Sequence, residues 1–211
     1  MKPDRQLRFC ALNGRSVNNK NEDVKALILD RKLNLPALTE TWHEDSAYTA
    51  IKRLRTLGLN VIEAARIIPD DIEVDDVDFV NYGGIAVVSK PGIRVTKMSV
   101  KLSVSTFEYV YCRITSDSAS SILVVICRPG SKLPTSEVFK EFTKFLELTS
   151  TFDLSVTITG NVNVHFQTED EANTRRKNNN ILESFGLIQH VSLPNHEQRT
   201  WKLVERRHHF E

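Results

Sequence analysis

A chain of 211 residues, 40% of them hydrophobic, can bury one sizeable core, and a single domain spanning 1–211 is the expectation. With 26% charged residues and a formal net charge of +1, a strongly basic nucleic-acid coat is excluded, so any nucleic-acid contact has to come from a local patch. No run reaches the roughly 18 apolar residues of a membrane helix, and the first residues lack a signal-peptide core. The scattered Cys10, Cys112 and Cys127 read as reduced thiols of an intracellular protein, nuclear or cytoplasmic and not secreted.

In chain order, Leu7 to Leu12 is a first predicted strand, ending at Asn13 before the turn Gly14-Arg15-Ser16. A helix follows, with Asn21 as its cap, Glu22 and Asp23 in the first turn, and Val24, Leu27 and Ile28 on one face. Leu35 to Leu38 is a short strand running into Thr39-Glu40-Thr41-Trp42. A second helix is expected with Ser46 as cap, Ala47, Ile51 and Leu54 as stripe and Gly58 as stop. Leu59 to Arg66 reads as a strand. The acidic run from Asp70 to Asp78 reads as a solvated loop rather than a metal site, because acids in an irregular segment have no fixed geometry. From Gly83 the apolar runs are short and β-rich, namely Ile85 to Ser89, Ile93 to Met98, Phe107 to Ile114 and Ile122 to Cys127, which suggests antiparallel pairing.

Pro134 to Leu148 is the clearest helix, capped by Thr135 or Ser136, with Val138, Phe139, Phe142, Phe145 and Leu146 on one side. It leads into Val156-Thr157-Ile158-Thr159-Gly160-Asn161-Val162-Asn163, a strand ending in a glycine and two amides one residue apart. Side chains two apart share a face, so such an end offers two hydrogen-bonding groups on one side. Ile181, Leu182 and Phe185 form a shorter stripe closed by Gly186. Leu187 to Leu193 and Trp201 to Val204 are the last strand candidates, before the basic tail Arg206-Arg207-His208-His209. Elements in this order fit two mixed β-sheets packed face to face with helices outside, a four-layer αββα sandwich of class α/β.

Six stretches occur in the order of one family: Leu12-Asn13-Gly14-Arg15-Ser16, Leu38-Thr39-Glu40-Thr41-Trp42, Tyr82-Gly83-Gly84-Ile85-Ala86-Val87, Val125-Ile126-Cys127-Arg128-Pro129-Gly130, Gly160-Asn161-Val162-Asn163-Val164-His165 and Trp201-Lys202-Leu203-Val204. Together they resemble the endonuclease/exonuclease/phosphatase superfamily, in the form found in non-LTR (LINE-type) retrotransposons. That resemblance implies a Mg²⁺-dependent (or Mn²⁺-dependent) phosphodiesterase that nicks DNA, with a reverse transcriptase domain alongside it in an intact element. It implies that Glu40 binds the metal, that Asn13 orients the metal site and that Asn163 hydrogen-bonds the phosphate. Mg²⁺ takes one or two carboxylates plus water and substrate phosphate, so a single placed glutamate is chemically sufficient. Arg15, Arg128, Cys127 and His165 fall at substrate-contacting positions; Arg175, Arg176 and Lys177 are further candidate phosphate contacts.

The chain also departs from the family pattern. Asn161 stands where the family has the aspartate of Gly-Asp-x-Asn that orients or deprotonates the attacking water, and an amide takes no proton near neutral pH. Cys127 replaces the tyrosine before Arg-Pro, and Lys202 replaces the aspartate of Leu-Asp-Leu-Val, reversing the local charge. The family's closing Ser-Asp-His strand is not in this sequence; His196, His208 and His209 lie outside that motif. The expectation is therefore a retrotransposon-derived DNA endonuclease domain, catalytically impaired and lacking the family's last strand. Alternatives are a non-catalytic nucleic-acid- or protein-binding module on the same fold and, ranked lower, a phosphatase of small substrates.

Overall fold

The computed structural model describes residues 7–43, 48–66, 83–116, 119–128, 134–162, 169–190 and 202–206. Ser46, Ala47, the acidic run 70–78, Asn163, His165, His196, Trp201, His208 and His209 lie outside the described residues. The chain divides into two compact units, Met1–Arg94 and Val95–Glu211.

The first unit carries β1 (Phe9–Asn13), α1 (Asn21–Asp30), β2 (Leu35–Thr39), α2 (Thr49–Thr56), β3 (Asn60–Ala64) and β4 (Ile85–Ser89). Its sheet runs β1-β2-β4-β3, parallel between β1 and β2 and antiparallel elsewhere, hence mixed. The central strands β2 and β4 are buried at every position, including the polar Thr39 and Ser89 at their ends, whereas the edges β1 and β3 are half-buried. Val24 and Ile28 of α1 and Ala50, Ile51 and Leu54 of α2 pack with Leu38, Ala86 and Val88. Each valine, leucine or isoleucine among them contributes about 1.5–3 kcal/mol by leaving water. The expected cap at Asn21 is not what forms. The helix already includes Asn21, Lys20 occupies the cap position without a side-chain hydrogen bond, and both polar atoms of the Asn21 amide are buried without a partner.

The second unit carries β5 (Arg94–Met98, its first residue on the boundary), β6 (Glu108–Thr115), β7 (Ser120–Cys127), α3 (Ser136–Ser150), β8 (Val156–Asn161), α4 (Glu169–Ser184), β9 (Ile188–Gln189) and β10 (Lys202–Arg206). The sheet order is β5-β6-β7-β8-β10-β9, with β7 and β8 parallel and β6/β7, β8/β10 and β10/β9 antiparallel. The β-rich run after Gly83 is thus split between the sheets: β4 pairs with β2 and β3, and β5 with β6. The aromatic stripe of α3 does what its spacing predicts. Phe145 is fully buried against Phe107, Tyr111 and Phe142, and the Tyr111 hydroxyl lies 2.6 Å from Thr149 Oγ1. Glu141, on the same helix, is buried and accepts hydrogen bonds from the backbone N–H and hydroxyl of both Ser105 and Thr106, at 2.6–3.0 Å, tying the segment before β6 to α3. α4 extends well N-terminal of the Ile181/Leu182 stripe; there the Lys177 ammonium lies 4.3 Å above the Phe139 ring.

All three cysteines are thiols. Burial pushes Cys10 up to about 11 and Cys112 to about 12, the latter against a smaller opposing effect of Lys97, which favours the protonated thiol at both.

Candidate functional site

In the first unit the parallel strands β1 and β2 end side by side. Asn13 is in register with Thr39, and Glu40 follows at once, so both predicted residues stand at the carboxyl ends of adjacent strands. In open α/β sheets that end is where ligands bind. Asn13 Oδ1 accepts the Arg15 N–H at 3.0 Å, an Asx turn that orients the amide. Lys20 Nζ donates to the carbonyls of Gly14 and Arg15 at 2.9 and 2.8 Å, closing the loop whose Arg15 and Ser16 have φ of 41° and 71°. Arg15 itself is exposed.

Glu40 is half-buried and has φ of 52°; Trp42 has φ of 54°. Left-handed backbone at a non-glycine residue costs on the order of 1–3 kcal/mol and persists only where the surroundings over-determine it. Here they do. The carbonyls of Thr39, Glu40 and Thr41 accept from the amides of Gly14, Ser16 and Val17 at 2.7, 2.8 and 3.0 Å, while the Thr41 and Trp42 amides donate to Gly84 and Gly83 at 3.3 and 2.8 Å.

A feature the sequence reading missed lies beneath this turn. Thr41 Oγ1 is 2.6 Å from His43 Nδ1, and His43 Nε2 is 3.0 Å from Glu63 Oε2 on β3. The His43 side chain has no exposure and that of Glu63 is 17% exposed. Gly84, at φ of 87°, makes room: a Cβ there would sit 2.6 Å from Thr41 Oγ1 and 3.0 Å from His43 Nδ1. The available signals were the single acid inside the apolar run Val61-Ile62-Glu63-Ala64 and a histidine two residues after Thr41.

In the second unit the parallel strands β7 and β8 also end together, with Cys127 in register with Asn161. Exposure is 0% for Cys127, 4% for Arg128 and 7% for Asn161, so all three are packed rather than presented. Arg128 N–H donates to the Asn161 carbonyl at 2.8 Å and its guanidinium to the Val162 carbonyl at 3.4 Å; burial lowers the pKa of that guanidinium. Gly160, at φ of 127°, is obligatory because a Cβ would run into the Ile126 carbonyl oxygen of the neighbouring strand. Lys202 of β10 pairs with Gly160.

Among the described residues no group of three or more His, Cys, Asp or Glu side chains is gathered as a metal cage. The ends of β1 and β2 carry one half-buried carboxylate, Glu40, and a hard cation that takes one or two carboxylates and keeps most of its water is the kind a single carboxylate could hold, the Asn13 oxygen being already engaged.

No family model and no curated protein matches the chain. Solved structures do. The endonuclease domain of TRAS1, a telomere-specific non-LTR retrotransposon, matches with a TM-score of 0.64 at 11% identity, over 94% of this chain and 84% of that one. The 3′ phosphatase NExo from Neisseria, bound to a product DNA hairpin, matches with a TM-score of 0.63 at 15% identity over 95% and 86%. An AP endonuclease from Archaeoglobus fulgidus gives 0.61 and 14%, over 95% and 86%. At such identities the likeness is one of fold. The chain has the α/β fold of the endonuclease/exonuclease/phosphatase superfamily, with the two mixed sheets expected from its sequence. Among the described residues no helix is long and apolar enough to cross a membrane.

Proposed function

We propose that this chain is a DNA-directed, divalent-cation-dependent phosphodiesterase domain of the retrotransposon endonuclease kind, slowed by the loss of its general base. The observation that carries the reading is the delivery of Glu40 and Asn13 to the ends of adjacent parallel strands, with Glu40 on a strained and heavily tied turn. Glu40 would hold Mg²⁺ or Mn²⁺, and the ion would supply Lewis-acid stabilisation of phosphoryl charge. Asn13, its Oδ1 engaged by Arg15, offers amide hydrogens to an anionic oxygen, and exposed Arg15 adds positive charge beside it. Asn163 is assigned to the phosphate, as the resemblance implies. Asn161 takes no proton from water, and a missing general base costs about 10²–10⁴ in rate, or about 3–5 kcal/mol of barrier.

The packing of Asn161 and Arg128 favours a second reading, a module on this fold that binds DNA without cutting it. In that case binding weakens steeply with salt and no nicks accumulate.

Metal binding tests the first reading. A ligand that binds only the folded state stabilises it by about 2.7 kcal/mol at a concentration a hundred times its dissociation constant. Titration with Mg²⁺ or Mn²⁺ should raise the melting temperature of the wild type and leave that of Glu40→Gln unmoved. Equal shifts in both proteins, or none in the wild type, contradict the assignment.

A further inference from the structure

We propose that Thr41, His43 and Glu63 are positioning residues, a buried hydrogen-bonded relay that holds the Glu40 carboxylate in place for a divalent cation. The inference rests on the reading of Glu40 as the cation ligand and extends it to the side chains behind that ligand.

The relay has a direction. In the tautomer that carries its proton on Nε2, His43 donates to the Glu63 carboxylate and its Nδ1 accepts from the Thr41 hydroxyl. Thr41 is thereby pinned through His43 to β3 and, by its own amide and carbonyl, to Gly84 and Val17. It sits between Glu40 and Trp42, the two left-handed residues of the turn, so loosening Thr41 loosens the segment that carries Glu40. Burying an imidazole beside a carboxylate carries a desolvation penalty that well-packed apolar residues of equal volume avoid. Apolar filling would seal the space under the turn, but it would leave Thr41 held by its backbone bonds to Gly84 and Val17 alone. Gly84 completes the case: its missing Cβ is the space that Thr41 Oγ1 and His43 Nδ1 occupy. The arrangement parallels the way metal sites use outer hydrogen bonds to aim their ligands.

Two readouts separate aiming from simple stabilisation. Amide hydrogen exchange at Ser16, Val17, Thr41 and Trp42 reports the turn whether or not metal binds, and Mn²⁺ affinity, followed by water-proton relaxation, reports the carboxylate. Thr41→Val is close to isosteric, and both it and His43→Gln should speed exchange at those amides while leaving β7 and β8 unchanged. Both should also weaken Mn²⁺ binding about tenfold, the low end of outer-shell effects, and Thr41→Ser should restore both properties. Glu63→Gln, which keeps volume and an acceptor, serves in place of His43→Gln if that variant does not fold. Unchanged exchange in Thr41→Val overturns the relay. Faster exchange with undiminished Mn²⁺ affinity also overturns it, since the three residues would then only stabilise the fold. A wild type that binds no Mn²⁺ contradicts the cation reading of Glu40, and the inference falls with it.

Discussion

Both units end a pair of parallel strands with polar residues, yet they treat those ends differently. Where β1 and β2 stop, Asn13 and Glu40 remain half-buried and a network of backbone bonds keeps the turn between Glu40 and Trp42 in an unfavourable conformation. Where β7 and β8 stop, Cys127, Arg128 and Asn161 are buried, and the guanidinium donates to the Val162 carbonyl. Strain is spent on presenting a side chain in one place and avoided in the other. On the proposed reading, the β1/β2 end is the one that would hold a cation, and Asn161 puts an amide where the resemblance implies a base.

Breaking the second strand end should have the largest effect. Gly160→Ala drives a Cβ into the Ile126 backbone at a φ that side chains rarely adopt, and neither atom can yield. A loss above about 3 kcal/mol, or failure to fold, is expected from denaturant unfolding. Gly84→Ala in the first unit meets side chains instead, so the expected loss is smaller, about 1–3 kcal/mol.

Glu141→Ala strips the acceptor from the amides and hydroxyls of Ser105 and Thr106 and should cost about 2 kcal/mol. Its pH dependence follows from the same contacts. Burial raises the Glu141 pKa, but hydrogen bonds from the Thr106 hydroxyl, the two amides and the Ser105 hydroxyl outweigh it, and the folded value lies below the ordinary one. The carboxylate therefore adds stability in full above the ordinary glutamate range, and this is lost as pH falls through the folded value. Melting curves of wild type and Glu141→Gln should converge on acidification through that range. Smallest is Tyr111→Phe, which removes the hydroxyl contact with Thr149 and should cost about 1 kcal/mol in the same unfolding assay.

Much of this was legible in the sequence, for reasons that differ by element. The aromatic spacing of α3 and the apolar runs of β2, β4 and β7 determine their own burial, so periodicity reports them directly. The strand-end positions of Asn13 and Glu40 followed from polar residues closing apolar runs. The first turns of α4 were not legible because they are polar and carry no stripe; they belong to a helix only as an extension of the segment anchored by Leu182. Asn21 was misread because a cap and a first-turn asparagine look alike in sequence. His43 escaped because its partner Glu63 is twenty residues away and meets it only through the sheet. Periodicity reports a face, not a pairing across strands.

If Glu40 can still hold a cation and position 161 lacks only a base, putting the base back should bring activity with it. Nicking of supercoiled plasmid in Mg²⁺ should be slow for wild type and about a hundredfold or more faster for Asn161→Asp. In that background Glu40→Gln should abolish it. No gain from Asn161→Asp in a protein that still folds and binds the metal, or nicking that survives the loss of Glu40, would contradict this reading.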